Sequence, residues 1–348
     1  MASLGSNTDI SFDTQRLEDL LRSHLPTRSR VFDIQPVDGG QSNPTYFVTL
    51  GHRRLVLRKR PSGPLLPSAH AVDREFRIQL SLRNSAVPVP EVLLYCDDET
   101  VVGTAFYVME RVPGRIFHNS ALPGVSKEDR SSMYAQVAAA LGALHRLDPA
   151  AMGLSDFGRP GNYFARQISR WTRQWQMSRV HELPEIEQLI AWLSVHIPED
   201  ERVGIIHGDF RMGNLIFDPV HPRIVAILDW ELATLGHPLA DLAHTCLYSW
   251  FLGSDEYGGG LMGLDAGQLG IPSLHQFVNR YRGAAGIELQ LEPFHVAFSL
   301  FRNAMIFEGI AARARAGNAS ADNARDIGEL APTFARRALE VIAGQHPI

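Results

Sequence analysis

Cysteine is scarce in this chain of 348 residues, which contains only Cys96 and Cys246. Two cysteines cannot form a disulfide framework, and neither belongs to a C-x-x-C pair of the kind that binds metals. A chain of this composition suits a reducing compartment. We therefore predict a cytoplasmic protein.

Long apolar runs are missing as well. The most apolar candidate for a membrane span, Leu239 to Leu252, contains Asp241 and His244, so we predict no membrane segment. The first residues, MASLGSNTDISFDTQ, have neither a basic start nor an apolar run, which argues against a secretory signal.

The chain has no excess of positive charge. Its formal net charge is −5, so there is no electrostatic reason to expect a nucleic-acid partner. With 45% hydrophobic and 20% charged residues it has the composition of an ordinary globular protein. Because 348 residues exceed one typical core, we expect two lobes or domains. These numbers leave the oligomeric state open.

The densest chemistry lies in one stretch, VGIIHGDFRMGNLIFDPVHPRIVAILDWE, from Val203 to Glu231. Short runs of branched apolar residues separated by turn formers predict three buried strands. Those runs are Val203–Ile206, Leu215–Phe217 and Ile224–Leu228. A turn between the second and third runs would form a hairpin, which brings the ends of these two strands together.

Polar side chains stand at the ends of these strands. Asp209 follows the first strand, Asn214 opens the second, and Asp229 closes the third. An amide and a carboxylate suit a hard cation such as Mg²⁺, which predicts a metal site at Asn214 and Asp229. Asp209 is then free to orient a substrate hydroxyl and accept its proton. Each of these residues taken alone is equally well explained as a turn or helix cap.

The pattern H-G-D-x-x-x-x-N, followed by I-L-D-W-E and LGHPLADLAH, resembles the aminoglycoside phosphotransferase and choline kinase family, relatives of the protein kinases. It resembles most closely the phosphotransferase domains found alone in bacteria or fused to acyl-CoA dehydrogenases, over nearly the whole chain. The resemblance implies ATP and Mg²⁺ as cofactors, Asp209 as the catalytic residue, and Asn214 and Asp229 as metal ligands. It also implies that His207, with Asp241 as its partner, supports the loop.

The resemblance implies a two-lobed, protein-kinase-like α+β fold, with Mg-ATP between the lobes. We expect an N-terminal five-stranded antiparallel sheet with one helix and a mainly helical C-terminal lobe. The predicted boundaries are 1–30 for a tail and short helix, 31–112 for the nucleotide-binding lobe, and 113–348 for the catalytic and acceptor-binding lobe. The predicted strands are Val31–Ile34, Thr45–Leu50, Arg54–Lys59, Glu91–Cys96 and Thr104–Met109, with the helix at Ala71–Arg83.

Several residues of the first lobe are candidates for nucleotide binding. The loop before the second strand reads either as a plain hairpin turn or as a phosphate cover, and the resemblance favours the cover, with Ser42 and Asn43. It also implies a phosphate-binding cation on the third strand that pairs with Glu75. Adjacent strand residues point to opposite faces, so only one of two neighbouring cations can serve, and we choose Arg58 over Lys59.

The segment MERVPG, from Met109 to Gly114, is expected to be the hinge between the lobes. In the resembled family the backbone at this point hydrogen-bonds the adenine ring. The carbonyl and amide groups of Glu110 and Val112 are the expected contacts.

Acceptor recognition is harder to read from the sequence. The glycine-rich segment Ser249–Pro272 fits either a mobile loop over the acceptor or a disordered surface insertion. Arg302, Arg313 and Arg315 suit either an anionic acceptor or a solvated helix face. The predicted acceptor helices lack the carboxylate cluster that polycationic aminoglycosides need. We therefore prefer a metabolite hydroxyl, on a sugar, an amino alcohol or a hydroxyacyl thioester.

The predicted reaction is transfer of the ATP γ-phosphoryl group to a hydroxyl of a small molecule. Two alternatives are open at this point. One is a catalytically weak nucleotide-binding or regulatory protein that keeps the fold. The other is a metallohydrolase whose metal is held by His207, Asp209, Asp229 and either His237 or His244.

Overall fold

A computed structural model describes residues 10, 12–37, 43–63, 70–179, 182–315, 324–346 and 348. The chain divides into two compact units. The N-terminal unit comprises Met1–Arg83 and Val89–Val112, and the C-terminal unit comprises Asn84–Pro88 and Pro113–Ile348.

The N-terminal unit is built on a five-stranded sheet in the order β1-β2-β3-β5-β4, with antiparallel neighbours throughout. Its strands are β1 (Phe32–Pro36), β2 (Thr45–Leu50), β3 (Arg53–Lys59), β4 (Val92–Cys96) and β5 (Phe106–Glu110). Its helices are α1 (Thr14–His24), α2 (Val72–Leu82) and α3 (Glu99–Val102). The predicted fold class is confirmed.

Alternation along β3 supplies both faces of the sheet. Leu55 and Leu57 join a core that also contains Leu17 and Leu21 of α1, so α1 packs on this lobe. Val56 points to the other face, into the cluster that includes Val72 of α2. The short helix α3 was not expected.

The C-terminal unit is mainly helical and carries two small antiparallel strand pairs, β6-β9 and β7-β8. Its helices are α4 (Lys127–His145), α5 (Tyr163–Ser178), α6 (Pro184–Val195), α7 (Pro238–Trp250), α8 (Ala266–Leu269), α9 (Leu274–Ala285), α10 (Pro293–Arg315), α11 (Ala324–Gly328) and α12 (Ala331–Ile342). Its strands are β6 (Gly204–Ile206), β7 (Leu215–Phe217), β8 (Ile224–Ile227) and β9 (Thr234–Gly236). The predicted hairpin is the β7-β8 pair.

Helix α10 lies at the centre of this unit. It packs against α5, α6, α7, α11 and α12, and its residues are buried around most of its circumference. A helix that is apolar on all sides belongs in a core. No helix in the described part of the chain is long and apolar enough to span a membrane.

The glycine-rich segment after α7 is anchored to its surroundings. The Arg337 guanidinium donates to the Phe251 carbonyl at 2.7 Å and to the Glu256 carboxylate at 3.0 Å. The Gly260 amide donates to the Gly253 carbonyl at 2.9 Å. The segment is therefore not the disordered surface insertion that was one of our two expectations. Gly258, Gly259, Gly263 and Gly270 have positive φ, which favours glycine in its turns.

Candidate active site

The loop after β6 is held by a helix that comes later in the chain. The Asp241 carboxylate, buried in the first turn of α7, accepts hydrogen bonds from the backbone amides of His207 at 2.6 Å and Gly208 at 2.8 Å. One turn further along α7, the Thr245 hydroxyl donates to the Phe210 carbonyl at 2.8 Å. Positions four apart lie on one face of a helix, so α7 fixes the backbone of this loop.

Asp209 is surrounded by hydrogen-bond donors. Its Oδ1 lies 2.7 Å from His244 Nε2, and its Oδ2 accepts from Asn214 Nδ2 at 2.8 Å. Arg211 Nε lies 3.2 and 3.3 Å from the two oxygens. Burial disfavours the charged carboxylate, but the His244 hydrogen bond and the Arg211 charge hold the pKa of Asp209 well below its usual range. The side chain is therefore a fixed anion at neutral pH.

The β7-β8 hairpin brings together Asn214 and Asp229, the two expected metal ligands. Asn214 ends a 3₁₀ turn directly before β7. The Leu228 amide, directly after β8, donates to the Asn214 carbonyl at 2.8 Å. Asp229 is the next residue, so the pairing of the two strands places both side chains at one end of the hairpin.

The donor atoms of these two residues suit a hard cation. Asn214 Nδ2 donates to the Asp209 backbone carbonyl at 2.8 Å as well as to its carboxylate, so the amide Oδ1 is the atom left for a metal. Asp229 has φ 64°, a left-handed conformation that is uncommon outside glycine and that clusters at functional sites. An amide oxygen and a carboxylate are ligands that Mg²⁺ accepts, so the residues fit the predicted site.

His207 holds two loops together through its ring. Its Nε2 lies 2.8 Å from the Leu228 carbonyl, and its Nδ1 accepts from the Asp209 amide at 3.1 Å. Its expected partner Asp241 binds the His207 backbone amide rather than the ring, because the ring points towards the strand end that carries Asp229. The expected pairing of His207 with Asp241 is present, through the backbone amide of His207.

This use of the His207 ring counts against the metallohydrolase alternative. Both ring nitrogens are engaged, so neither has a lone pair to give to a metal. His237 lies apart from this cluster and caps α7 by accepting from the Leu239 amide at 3.2 Å. Among the described residues, no group of three or more His, Cys, Asp or Glu side chains is placed to hold a metal ion.

The N-terminal unit contains a second polar cluster, centred on the fully buried Glu75. Its carboxylate accepts from Asn43 Nδ2 at 2.6 Å and from the Tyr107 hydroxyl at 3.0 Å, and it lies 3.1 Å from Arg58 Nε. The expected pairing of Arg58 with Glu75 is therefore present. A buried carboxylate with this many partners fixes the direction of the guanidinium.

Of the candidates flanking this cluster, Asn43 differs from expectation and Lys59 agrees with it. The buried Asn43 side chain is engaged by Glu75 and by His70 Nδ1 at 3.0 Å, so it is not placed for the expected contact with nucleotide phosphates. Ser42 lies outside the described residues. Lys59 points to the opposite face of β3, where its Nζ donates to the Val102 carbonyl at 2.5 Å and lies 5.1 Å from the centre of the Phe12 ring.

One of the expected hinge contacts is already taken. The Glu110 amide donates to the Glu91 carbonyl at 2.9 Å, because Glu110 is still part of β5. That amide cannot also bind adenine, which leaves the Glu110 carbonyl and the backbone of Val112. Val112 is the last residue of the N-terminal unit.

Sequence reasoning did not assign the contacts that three further residues make in the site, although His244 was named as a metal ligand in the metallohydrolase alternative. His244 and Arg211 contact the Asp209 carboxylate, and His145 Nε2 lies 3.4 Å from Asp241 Oδ2. The spacing of Asp241 and His244 puts both on one helix face, which is a signal for His244. His145 comes from α4, far away in the sequence, and has no local signal.

The chain matches the model of the phosphotransferase enzyme family over residues 33–270. A "putative aminoglycoside phosphotransferase" from Ralstonia eutropha is 37% identical, with a TM-score of 0.85 over 97% of this chain and 100% of that one. An aminoglycoside phosphotransferase crystallised with AMP-PNP and hygromycin B is 18% identical, with a TM-score of 0.64 over 94% of this chain and 99% of that one, and shares the fold.

Similar curated proteins are named as acyl-CoA dehydrogenases. Acyl-CoA dehydrogenase family member 10 of Mus musculus is 42% identical over 92% of this chain, and family member 11 of Homo sapiens is 38% identical over 95%. The alignments span only 30% and 43% of those two proteins. The expected likeness to domains in such proteins is confirmed. The chain belongs to the phosphotransferase enzyme family, with the kinase-like fold of the aminoglycoside phosphotransferases.

Proposed function

We propose that this protein transfers the γ-phosphoryl group of ATP to a hydroxyl of a small metabolite, with Mg²⁺ as cofactor. The observation that carries the proposal is the joint fixation of Asp209, Asn214 and Asp229. The Asn214 amide binds Asp209 twice, and the amide of Leu228, directly before Asp229, donates to the Asn214 carbonyl. Phosphoryl transfer depends mainly on positioning and charge stabilisation, which such a rigid arrangement supplies.

Asp209 orients the acceptor hydroxyl in this proposal. Its carboxylate stays ionised at neutral pH because His244 and Arg211 stabilise the negative charge. A carboxylate with a lowered pKa is a weak base. It therefore aligns the hydroxyl for attack and takes up the proton only as the new bond to phosphorus forms.

Asn214 through Oδ1 and Asp229 through its carboxylate would hold the metal. Mg²⁺ bound there would neutralise charge on the phosphoryl group being transferred. The protein's own contribution is to fix both ligands on one hairpin end, so that little reorganisation is needed when the cofactor binds.

Arg58 is our candidate for the nucleotide phosphates. Glu75 fixes its guanidinium from inside the N-terminal unit, with Asn43 as a further hydrogen-bond donor to the same carboxylate. Arginine presents a planar fork of donors, so it suits two phosphate oxygens at once. Ser42 remains a candidate on the preceding loop, and the Glu110 carbonyl and the Val112 backbone remain candidates for adenine.

The charges around Asp209 support a metabolite rather than an aminoglycoside. The Arg211 guanidinium lies beside it, and a second cation, Arg302, lies nearby on α10. A polycationic antibiotic would meet like charge here instead of the carboxylates that attract it. A neutral or anionic hydroxylated metabolite avoids that repulsion.

ATP turnover with Mg²⁺ tests the proposal. The wild type and Asp209→Ala are incubated with a pooled library of hydroxylated metabolites and aminoglycosides, and the products are identified by mass spectrometry. We expect one metabolite class to gain a phosphate with the wild type and none with the variant. If AMP-PNP binds but no acceptor is phosphorylated, the regulatory alternative is favoured. If no adenine nucleotide binds, the proposal is wrong.

A further inference from the structure

Arg302 is a largely buried cation that has no counter-ion among the residues described. It lies on α10, and only 8% of its surface is exposed. In the part of the chain that the structure describes, its guanidinium forms neither a hydrogen bond nor an ion pair. Arg313 on the same helix is exposed, as expected of a solvated helix face. The sequence does not distinguish these two arginines, and the structure does.

The position of Arg302 on α10 places it beside the catalytic cluster. Ser299, one turn before it, lies with its Oγ 3.4 Å from His244 Nδ1, and the opposite nitrogen of that ring contacts Asp209. Asn303, the next residue, accepts a hydrogen bond from the Tyr248 hydroxyl at 3.0 Å. Positions 299, 302 and 303 share one face of the helix, so Arg302 belongs to the wall behind Asp209.

The charge of Arg302 reaches the same neighbours. Burial lowers the pKa of His244, and the nearby Arg302 cation lowers it further. Burial raises the pKa of Tyr248, while the cations Arg211 and Arg302 oppose that rise. A largely buried arginine is normally paired, and no partner for the Arg302 guanidinium lies among the described residues. Its nitrogens are not among the fully buried atoms that lack a hydrogen-bond partner, so they remain accessible to a ligand.

We infer that Arg302 binds an anionic group of the acceptor, a carboxylate or a phosphate carried by the same small molecule as the reacting hydroxyl. This inference rests on the proposed function and narrows its substrate class. A planar guanidinium binds either anion through two parallel hydrogen bonds. The anion would tether the acceptor behind Asp209 while the hydroxyl faces that carboxylate.

Matched acceptor pairs test the substrate class. Hydroxy acids are compared with their amides, and sugar phosphates with the free sugars, each with Mg-ATP and mass spectrometric detection. In one of the two pair types, we expect the anionic member to have a kcat/KM about 10- to 100-fold higher than its neutral counterpart, because it gains a charged hydrogen bond. If the hydroxy acids respond, the anion is a carboxylate. If the sugar phosphates respond, it is a phosphate. Equal rates within both pair types, or reaction of neutral or cationic acceptors alone, would overturn the inference.

Binding measurements test Arg302 independently of turnover. Inorganic phosphate is titrated calorimetrically into protein saturated with Mg-AMP-PNP, using the wild type, Arg302→Met, Arg302→Lys and the exposed control Arg313→Met. We expect saturable binding to the wild type and to Arg313→Met, weaker binding to Arg302→Lys, and loss in Arg302→Met. No binding to the wild type, or equal binding by Arg302→Met, would contradict the inference. If AMP-PNP itself does not bind, the proposed function fails, and phosphate titration of the free protein still decides the anion site.

Thermal unfolding of the free protein excludes a purely structural role. Replacing an unpaired buried cation by an apolar side chain of similar length is neutral or stabilising. We expect Arg302→Met to unfold at or above the wild-type temperature. A marked loss of stability in Arg302→Met but not in Arg313→Met would show that Arg302 serves the fold instead.

Discussion

His244 holds the Asp209 carboxylate in one orientation, at 2.7 Å from Oδ1. We predict that His244→Leu lowers kcat by about 10- to 100-fold, since a hydrogen bond to a charged group is lost, while AMP-PNP affinity stays unchanged. His244→Gln, whose side-chain amide can still donate, should retain most of the activity. Steady-state kinetics on the identified acceptor measures both. Equal losses in the two variants would mean that the hydrogen bond is not what matters.

Arg58 and Lys59 are adjacent on β3 but point to opposite faces. We predict that Arg58→Met weakens AMP-PNP binding by about 10-fold or more, because a charged phosphate contact is lost. Lys59→Met should leave nucleotide binding unchanged, since its ammonium group donates to the Val102 carbonyl. Isothermal titration with AMP-PNP and Mg²⁺ measures both, and Arg54→Met on the exposed side serves as control. The reverse order of effects would assign the phosphate contact to Lys59.

Much of the site could be predicted residue by residue because its parts are local in sequence. The spacing of Asp209 and Asn214 and the hairpin that leads to Asp229 are both contained within a few short elements. The exceptions are choices among atoms. Asp241 binds backbone amides rather than the His207 ring, and Asn43 turns inward to Glu75. The sequence identifies the residue, but packing in the folded protein determines which neighbouring groups its side chain contacts.

Two glycines in helices α4 and α9 differ in how closely the neighbouring helix packs against them. Gly142 of α4 faces α9 so closely that a Cβ would lie 2.6 Å from Ala284 Cβ and 2.7 Å from the Ala285 amide nitrogen. Gly283 of α9 has nothing within 4 Å of such an atom. We predict that Gly142→Ala destabilises the protein by about 1–3 kcal/mol through overpacking, whereas Gly283→Ala stabilises it by up to about 1 kcal/mol. Chemical denaturation measures both, and the same sign for the two would refute this account of α4–α9 packing.

His237 caps the N-terminus of α7, and its titration makes the free energy of unfolding depend on pH. Burial lowers its pKa to about 4, with Asp200 opposing the shift. The unfolded chain therefore takes up a proton near pH 6.5 that the folded protein refuses until about pH 4. The contribution of neutral His237 to the free energy of unfolding is fully present above pH 6.5 and is lost as the pH falls to about 4. His237→Asn keeps a helix cap without titrating, so we predict a shallower fall, by about 1–3 kcal/mol at pH 4.5.

Urea denaturation at pH 4.5 and pH 7.5 measures this difference. The exposed His24, changed to Asn, serves as control and should reproduce the wild-type slope. His295 on α10 is also buried, with its pKa lowered to about 3, so a residual slope should persist in His237→Asn. An unchanged slope in that variant would show that other groups carry the acid sensitivity.

The sequence of helix α10 does not predict which of its arginines are buried. From the sequence, its arginines were equally suited to solvent or to an anionic ligand. Burial separates them, because Arg302 faces α7 within the core while Arg313 lies near the helix end in solvent. Helical periodicity cannot reveal this distinction when apolar residues surround the whole helix.

The chain divides into two compact units, and the polar clusters described above belong to different ones. The Glu75 cluster lies inside the N-terminal unit, and the network of Asp241 and His145 lies inside the C-terminal unit. The length of the chain predicted two such cores, since single cores stop growing at this size. Length alone does not say whether the two cores unfold together.

We predict that the two cores respond separately to local damage. Glu75→Gln removes a buried counter-charge of the half-buried Arg58 and should speed amide hydrogen exchange in β1–β5, with little change at Gly204–Ile206 of β6. Gly142→Ala should do the reverse, since α4 packs on β6. Exchange followed by mass spectrometry at neutral pH resolves both regions in both variants. If each variant speeds exchange equally in both regions, the chain opens as one cooperative unit, and a stability change in either core would reach Asp209 and Arg58 alike.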